Sequence, residues 1–220
     1  MAKKRDDSND CFLESVRTSL RMMDAAFIDL SRIHFEELHD DSFKEELKEE
    51  KVQERPFCYE FYHQLRKYWE CGAAALLGFG HTVIQAEVNK FYQNIAGLKK
   101  APDFLVHRIG TLRGDAQMAV IEFKLAENVG RVKQSNVKEK RYTEVQYDFE
   151  KLIVFREKLR YRYGIEVVPG NTKAIRKAKA HINTLCQVAT TASKSDRLIY
   201  VIYFDIGSWS TSMEAVLYPK

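Results

Sequence analysis

The chain has 220 residues, a length that suits one α/β domain with an appendage. Hydrophobic residues make up 45% of it, which argues against a disordered chain because that much apolar material can form a buried core. The 35 Lys and Arg residues nearly balance the 31 Asp and Glu residues and leave a net charge of +4. This charge permits a polyanionic partner but does not require one.

The cysteines and the N-terminus bear on the compartment of the protein. The four cysteines are widely spaced and form no Cys-x-x-Cys pair, which argues against a secreted disulfide framework and against a zinc knuckle. The N-terminus is polar and lacks the apolar run of a signal peptide, and the apolar runs 73–79 and 198–204 are too short to span a bilayer. We therefore expect a soluble cytoplasmic protein that does not associate with membranes.

The N-terminal third of the chain is predicted to be largely helical. Residues 1–10 are polar and predict a frayed tail, whereas apolar residues recur at helical spacing from 11 to 33. The charged segment 34–54 favours a solvated helix or a linker. Pro56 and Gly72 then mark the two ends of a second helix, because proline is tolerated in the first helical turn and glycine terminates helices.

The hydrophobic period changes from helical to strand-like after residue 80. Residues 81–92, 102–110 and 118–126 are rich in β-branched and aromatic residues and are separated by turn-forming segments. They predict three strands of a β-meander, although the later half of the first segment is also compatible with a helix.

The C-terminal half is predicted to contain two helices and one strand. Helices are expected over 144–164, ending at Gly164, and over 171–192, capped by Asn171. The nearly continuous apolar run 197–207 predicts a buried strand in the interior of a sheet. The complete order of elements predicts an α/β or α+β sandwich around a small mixed sheet.

Three charged side chains stand out in the second and third predicted strands. Asp103 begins the segment PDFLVH, and Glu122 and Lys124 lie inside the segment AVIEFK. Because side chains alternate along a strand, Glu122 and Lys124 project from one face while their apolar neighbours fill the other. If the two strands pair as a hairpin, one register places Asp103 beside Glu122.

Such a group suits metal-assisted hydrolysis of a phosphodiester. Two carboxylates about 4 Å apart repel each other in a partly buried site, and a divalent cation relieves that repulsion. Mg²⁺ prefers one or two carboxylates together with waters and phosphate oxygens, and it can activate a water molecule. Lys124 would favour the hydroxide form of that water and stabilise the charge of the transition state.

The sequence resembles the signature of the PD-(D/E)XK nuclease superfamily. In this chain the signature consists of Pro102 and Asp103, followed by Glu122, Phe123 and Lys124. The resemblance implies a restriction-endonuclease-like α/β fold with a central four-stranded mixed sheet flanked by helices. It also implies that Asp103 and Glu122 hold Mg²⁺, with Mn²⁺ as an alternative, that Lys124 assists the water, and that a nucleic acid is cleaved. The resemblance does not show which nucleic acid this is, and we expect DNA.

The resemblance covers about residues 56–206. We therefore expect a tail and helical extension over 1–50 and a nuclease-like domain over 51–220. The extension is a candidate for packing on its own domain and equally for forming a homodimer.

The resemblance also points to residues outside the central motif. A helix before the meander often supplies another acid, for which Glu60 is the first candidate and Glu87 the second. In many members a helix with the pattern Asp-x-x-Lys-Leu follows the motif strand. The segment YDFEKL, with Asp148 and Lys151, is similar to that pattern.

The basic residues are concentrated after the motif, whereas much of the acidity lies in residues 36–54. This asymmetry would direct a polyanion toward the C-terminal half. Solvated helix faces are the alternative explanation, which applies also to the basic stretches 156–162 and 173–179. The candidate nucleic-acid contacts in the loop after the motif are Arg131, Lys133, Lys138, Lys140 and Arg141.

Less specific explanations exist for each site residue. Asp103 could be a turn residue after Pro102, Glu122 and Lys124 an exposed strand face, and Glu60 an exposed helical position. At the level of function, the alternative is a restriction-endonuclease-like domain that binds nucleic acid or assembles with proteins without catalysis. A third hypothesis is an unrelated interaction module, which predicts that Asp103 and Glu122 point away from each other.

Overall fold

The computed structural model describes residues 7–25, 54–73, 82–86, 102–108, 117–132, 142–189 and 195–219. Contacts divide the chain into two compact units, Met1–Ala73 and Ala74–Lys220. The predicted domain boundary between residues 50 and 51 lies outside the described residues.

The first unit contains two helices that pack against each other. Helix α1 spans Asp7–Arg21 and helix α2 spans Glu54–Tyr68, which continues into the π-helical turn Trp69–Ala73. Phe12 of α1 meets Trp69 edge-on, with ring centroids 6.2 Å apart. The apolar stripes predicted from the sequence are buried here, namely Phe12, Val16 and Leu20 of α1 with Phe57, Phe61 and Leu65 of α2.

The ends of both helices differ from the prediction. Helix α1 ends at Arg21, so the helix that the apolar spacing predicts over 11–33 is interrupted there, and residues 26–33 of that prediction lie outside the described residues. The chain turns at Met22, whose N–H contacts the carbonyls of Thr18 and Ser19, and the buried Met23 prolongs the apolar spacing beyond the helix. Helix α2 begins before Pro56, and Gly72 falls inside the π-helical turn.

The second unit is built on one mixed sheet. The described strands are β1 Thr82–Ala86, β2 Phe104–Arg108, β3 Gln117–Phe123, β4 Tyr163–Gly170, β5 Gln187–Val188, β6 Leu198–Asp205 and β7 Ser210–Leu217. The order across the sheet is β1-β2-β3-β4-β6-β7-β5. The three parallel strands β3, β4 and β6 lie in the middle, the antiparallel meander β1–β2–β3 forms one side, and the antiparallel strands β7 and β5 form the other.

The α/β class, the meander and the interior position of β6 are confirmed, but the expected four strands are wrong because the described sheet has seven. The sequence analysis predicts no strand at β4, and the first two residues of β4 fall inside the predicted helix 144–164. Helix α3, Glu144–Leu159, ends earlier than predicted, and Arg160 caps it in the left-handed conformation with φ 62°. Gly164 therefore lies in β4, where a Cβ atom would come within 3.0 Å of Arg156 Cδ.

Helices α3 and α4 cover one face of this sheet. Helix α4, Thr172–Leu185, begins as predicted, because the Asn171 side chain accepts a hydrogen bond of 2.9 Å from Ala174 N–H. Both helices share a core with the strands beneath them. Val120 of β3 belongs to this core, so Glu122, two positions further along β3, projects toward the helices as well. The site residues are thus held between the sheet and α3.

All four cysteines lie in the described ranges, and none of them forms a disulfide bond there. Cys186 is buried, and Cys71 is exposed. Within the described ranges, no helix combines the length and the apolar character needed to cross a membrane.

Candidate active site

Asp103 and Glu122 are brought together by the pairing of β2 with β3. Phe104 lies opposite Ile121 in this antiparallel pair, so the next residues along the two chains are Asp103 and Glu122. Among the registers that a hairpin allows, this is the one that the sequence analysis named as placing Asp103 beside Glu122. Asp103 Oδ2 accepts a hydrogen bond of 2.8 Å from the backbone N–H of Phe123, which fixes the carboxylate against β3.

Glu122 is the most buried member of the predicted motif. Only 1% of it is exposed, so the alternative of an exposed strand face is wrong for this residue. Its Oε2 accepts a hydrogen bond of 2.5 Å from Lys151 Nζ on α3. Burial raises the pKa of Glu122 well above its ordinary value, Lys151 opposes this change, and the charges of Asp103 and Asp148 add to it.

Helix α3 supplies three charged side chains to the same place. The side chain of Gln146 accepts a hydrogen bond of 2.8 Å from Thr143 N–H, which fixes the first turn of α3. Glu144, Asp148 and Lys151 follow at positions i, i+4 and i+7, so they share the helix face that packs on β3 and β4.

An ion-pair network joins these residues to the motif. Lys151 Nζ lies 3.4 Å from Asp148 Oδ1 and also contacts Glu122. Lys124 Nζ lies 3.5 Å from Asp148 Oδ2 and 3.4 Å from Glu144 Oε2, and its side chain is only 12% exposed. Burial opposes the charge of Lys151, but Glu122 and Asp148 outweigh it and raise the pKa of Lys151.

The half-buried Asp103 is perturbed in the same direction as Glu122. Burial raises its pKa, while the charge of Lys151 and the hydrogen bond from Phe123 oppose that change. The charge of Asp148 raises it further. Asp103 and Glu122 are thus within electrostatic reach of each other, of Asp148 and of Lys151, contrary to what an unrelated interaction module predicts.

Glu166 of β4 is a further acid in this site that the sequence analysis missed. It is the direct partner of Glu122 in the parallel pair β3–β4 and has no exposed surface. Burial raises its pKa well above the ordinary value, and the charges of Asp148 and Glu122 add to this effect. The available signal was a single acid inside the apolar run Ile165–Val168, which becomes meaningful only once that run is recognised as a strand.

The composition of the site fits a divalent cation. Two ammonium groups, Lys124 and Lys151, and the guanidinium group of Arg131 face five carboxyl groups, so full ionisation would leave an excess of two negative charges. The five acids are Asp103, Glu122, Glu144, Asp148 and Glu166. Among the described residues, Oε1 of Glu122 and both carboxyl oxygens of Glu166 have no hydrogen-bond partner. Carboxylate oxygens are the ligands that Mg²⁺ and Mn²⁺ prefer.

A lysine nevertheless lies where a cation would bind to these acids. Within the described ranges, no three His, Cys, Asp or Glu side chains form a group that could hold a metal ion. The ammonium group of Lys151 lies against Glu122, where a cation would be expected. Two carboxylates completed by waters and phosphate oxygens remain sufficient for Mg²⁺.

Glu60 and Glu87 were the candidates for an additional acid. Glu60 lies on α2 in the first unit and is 7% exposed, so it is not the exposed helical residue that the alternative predicted. Its Oε1 accepts hydrogen bonds from Gln64 Nε2 at 2.7 Å and from Asp24 N–H at 3.2 Å. These contacts give Glu60 a structural role within its unit, and its catalytic role stays a prediction. Glu87 lies outside the described residues.

The basic residues expected to contact nucleic acid are described only in part. Arg131 is exposed, and its Nε lies 3.8 Å from Glu144 Oε1 at the edge of the ion-pair network. Lys133, Lys138, Lys140 and Arg141 lie outside the described residues. Arg156, counted among the solvated basic residues, is instead buried and donates hydrogen bonds to the carbonyl oxygens of Tyr161 and Leu198.

An open cavity of about 520 Å³ lies between the segment after β3 and the start of α4. Lys173, Lys177 and His181 of α4 line one part of it, and Glu127 lines another. The exposed lysines belong to the basic stretch 173–179 noted in the sequence.

Comparisons of the chain with models of protein families, with curated proteins and with solved structures found no match. The resemblance to the PD-(D/E)XK nucleases rests on the residues of this chain. They are Asp103, Glu122 and Lys124 of the motif, with Asp148 and Lys151 of the helix that follows it.

Proposed function

We propose that the chain is a metal-dependent nuclease of the PD-(D/E)XK type, with a restriction-endonuclease-like fold, that hydrolyses phosphodiester bonds in DNA. The observation that carries this proposal is the register of β2 and β3, which juxtaposes Asp103 and Glu122 beneath a helix that presents Asp148 and Lys151. The four strands expected from the sequence correspond to β1, β2, β3 and β6, and β4 lies between β3 and β6 in the larger sheet.

Asp103 and Glu122 would hold a Mg²⁺ or Mn²⁺ ion, which when bound supplies an activated water and charge neutralisation at the phosphate. The backbone N–H of Phe123 orients Asp103 for this purpose. The burial of Glu122 strengthens its attraction to any cation that enters, because opposite charges interact more strongly away from water.

Lys124 is suited to act on the phosphate and the attacking water. Glu144 and Asp148 hold its ammonium group from the side of α3, while part of the side chain remains exposed. A positioned ammonium group stabilises the negative charge that develops during attack on phosphorus. A proton that leaves the water can be accepted in this network of carboxylates.

A catalytically silent binding domain is the second candidate function. The contact of 2.5 Å between Lys151 and Glu122 favours it, because the lysine already compensates the buried carboxylate without a metal ion. Under this hypothesis the basic cavity lined by Lys173 and Lys177 would still bind a polyanion.

The test is cleavage of plasmid, linear duplex, single-stranded DNA and RNA in the presence of Mg²⁺, Mn²⁺ or EDTA. Asp103→Asn keeps an acceptor for Phe123 N–H, and Lys124→Met keeps the length of the side chain. Each variant is expected to lose about 10²–10³-fold in activity. Glu214→Gln is the matched control, because Glu214 of β7 pairs with Lys179 at 3.1 Å, away from the motif.

Two outcomes would contradict the proposed function. Activity that survives in both motif variants would assign the cleavage to another site or to a contaminant. A folded wild-type protein that binds DNA in a salt-dependent manner, without cleaving any substrate and regardless of either substitution, would support the silent binding domain instead.

A further inference from the structure

A row of three carboxyl groups crosses the middle of the sheet. Asp103 continues β2, Glu122 lies on β3 and Glu166 on β4, and the pairing places them side by side in that order. Adjacent strands are about 4.8 Å apart, so each acid neighbours the next. Glu122 is the central member, with Asp103 on one side and Glu166 on the other.

Glu166 is the member of this row that the proposed mechanism does not use. It is completely buried, and neither of its carboxyl oxygens has a hydrogen-bond partner among the described residues. Its partner on the opposite side is Val201 of β6, and Val168 occupies the same face of its own strand. An unsatisfied carboxyl group in such surroundings is costly, whereas an apolar side chain would pack there without that cost.

The line of paired residues continues across the sheet, through Val201, to a carboxylate that serves for comparison. Glu214 of β7 is opposite Val201, two strands away from Glu166. It forms an ion pair of 3.1 Å with Lys179 and is partly exposed. Position in the row therefore does not explain why Glu166 lacks a partner.

Both lysines of the site are within electrostatic reach of Glu166, but they contact other acids. Lys151 contacts Glu122 and Asp148, and Lys124 contacts Asp148 and Glu144. Three buried carboxyl oxygens of these neighbouring residues, one of Glu122 and two of Glu166, therefore have no hydrogen-bond partner among the described residues. Carboxyl oxygens are the ligands that hard divalent cations prefer.

We propose that Glu166 is a further ligand of the cation site and binds a divalent cation together with Glu122. This inference rests on the part of the proposed function that assigns a divalent cation to the site, and it does not depend on cleavage. Glu122 and Glu166 would supply two carboxylates, and waters would complete the coordination of Mg²⁺ or Mn²⁺.

The test measures Mn²⁺ binding directly, by isothermal titration calorimetry and by the EPR signal of free Mn²⁺, on the full chain at fixed pH and ionic strength. Glu166→Gln is expected to bind Mn²⁺ at least about tenfold more weakly than the wild type, since even indirect partners of a metal site contribute about 10–100-fold. Glu214→Gln is the matched control and is expected to bind as the wild type does. Wild-type affinity in a folded Glu166→Gln protein would overturn the proposal.

A second variant covers the case in which the amide of Glu166→Gln prevents folding. Glu166→Met has a similar size, carries no oxygen and suits the apolar neighbours Val168 and Val201. It is expected to fold, by circular dichroism and thermal melting, and to bind Mn²⁺ as weakly as the glutamine variant should. Unchanged Mn²⁺ affinity in Glu166→Met would overturn the proposal equally.

The outcome is separable from that of the cleavage assay. Mn²⁺ binding that weakens in the Glu166 variants of a protein that cleaves no nucleic acid would support this inference while contradicting the nuclease function. Cleavage by the wild type, with an Mn²⁺ affinity that is unchanged in the Glu166 variants, would support the nuclease function and overturn this inference. A wild-type chain that binds no Mn²⁺ would overturn this inference.

Discussion

The middle of the sheet and its β6–β7 side both carry ion pairs on the face that α3 and α4 cover, and the two regions differ in burial and in balance. In the middle, five carboxyl groups share Lys124 and Lys151, and the side chains of Lys151 and Glu122 are 8% and 2% exposed. On the β6–β7 side, Lys179 and Glu214 form a single balanced pair, with side chains 31% and 29% exposed. Both regions pair a lysine of a helix with a glutamate of a strand, so the type of secondary structure does not distinguish them.

This difference in burial and in charge balance means that the ion pairs of the two regions affect the stability of the fold differently. A partly exposed, balanced pair contributes little to stability, because water already solvates both partners. A buried excess of acid opposes folding, since each unpaired charge loses its hydration. The described carboxyl groups with a raised pKa, Asp103, Glu122 and Glu166, all lie in the middle of the sheet. Such a concentration of perturbed acids is typical of functional sites, which is the reason for proposing that the function resides there.

The largest effect on stability is expected from Lys151→Met. The substitution removes the ammonium group that serves Glu122 and Asp148, and breaking a buried pair in this way typically costs about 3–5 kcal/mol. Urea unfolding in EDTA measures the loss. Added Mn²⁺ is expected to restore part of the stability, because a cation can replace the missing charge.

The matched control for Lys151→Met is Lys158→Met, which removes an exposed lysine from the last turn of the same helix. It is expected to change the free energy of unfolding only slightly. A loss below about 1 kcal/mol for Lys151→Met would mean that the two acids are neutral without the lysine, and the contrast between the two regions would then disappear.

A smaller effect is expected from pH, through the raised pKa of Glu166. The folded protein holds this proton at a pH where the unfolded chain, with an ordinary pKa near 4.5, has released it. The stability that the folded protein gains by keeping Glu166 protonated is therefore fully present below about pH 4.5. It is lost as the pH rises from there to the raised pKa of Glu166 in the folded state. In EDTA, the wild type is expected to lose stability relative to Glu166→Gln as the pH rises from about 4.5 to the raised pKa of Glu166 in the folded protein.

Urea unfolding at a series of pH values measures this difference, and taking it between the two proteins cancels the titration of all other groups. Glu214→Gln, which removes a partly exposed carboxylate paired with Lys179, is measured in the same way as the control. A constant difference between the wild type and Glu166→Gln would show that Glu166 is charged in the folded state over the whole range.

The local part of the site could be predicted from the sequence. Strand alternation separates Glu122 from Ile121 and Phe123, and the antiparallel meander allows only a few registers, one of which pairs Asp103 with Glu122. The cap at Asn171 and the apolar run of β6 are equally local signals.

The missing part depends on contacts between distant elements. Strand β4 follows α3 so closely that Gly164 looked like a helix cap, although its lack of a side chain serves the close approach of Arg156. Without β4, Glu166 could not be placed beside Glu122. The i, i+3 spacing of Asp148 and Lys151 indicated a shared helix face, but only the packing of α3 on β3 reveals that this face meets Glu122.

The smallest effects are expected on the β6–β7 side, where Lys179→Met tests the other half of the contrast. The substitution removes the ion pair with Glu214 and the contact of the ammonium group with the Tyr203 ring, 4.6 Å from its centroid. Partly exposed pairs and cation–π contacts of this kind contribute about 0.5–1 kcal/mol each, so the total loss in urea unfolding should stay near 1 kcal/mol. Glu214→Gln should cost less, because the amide oxygen still accepts a hydrogen bond from Lys179. If either substitution destabilised the protein as strongly as Lys151→Met, burial would not be what separates the two regions, and the excess of acid around Glu122 would lose its significance as a sign of function.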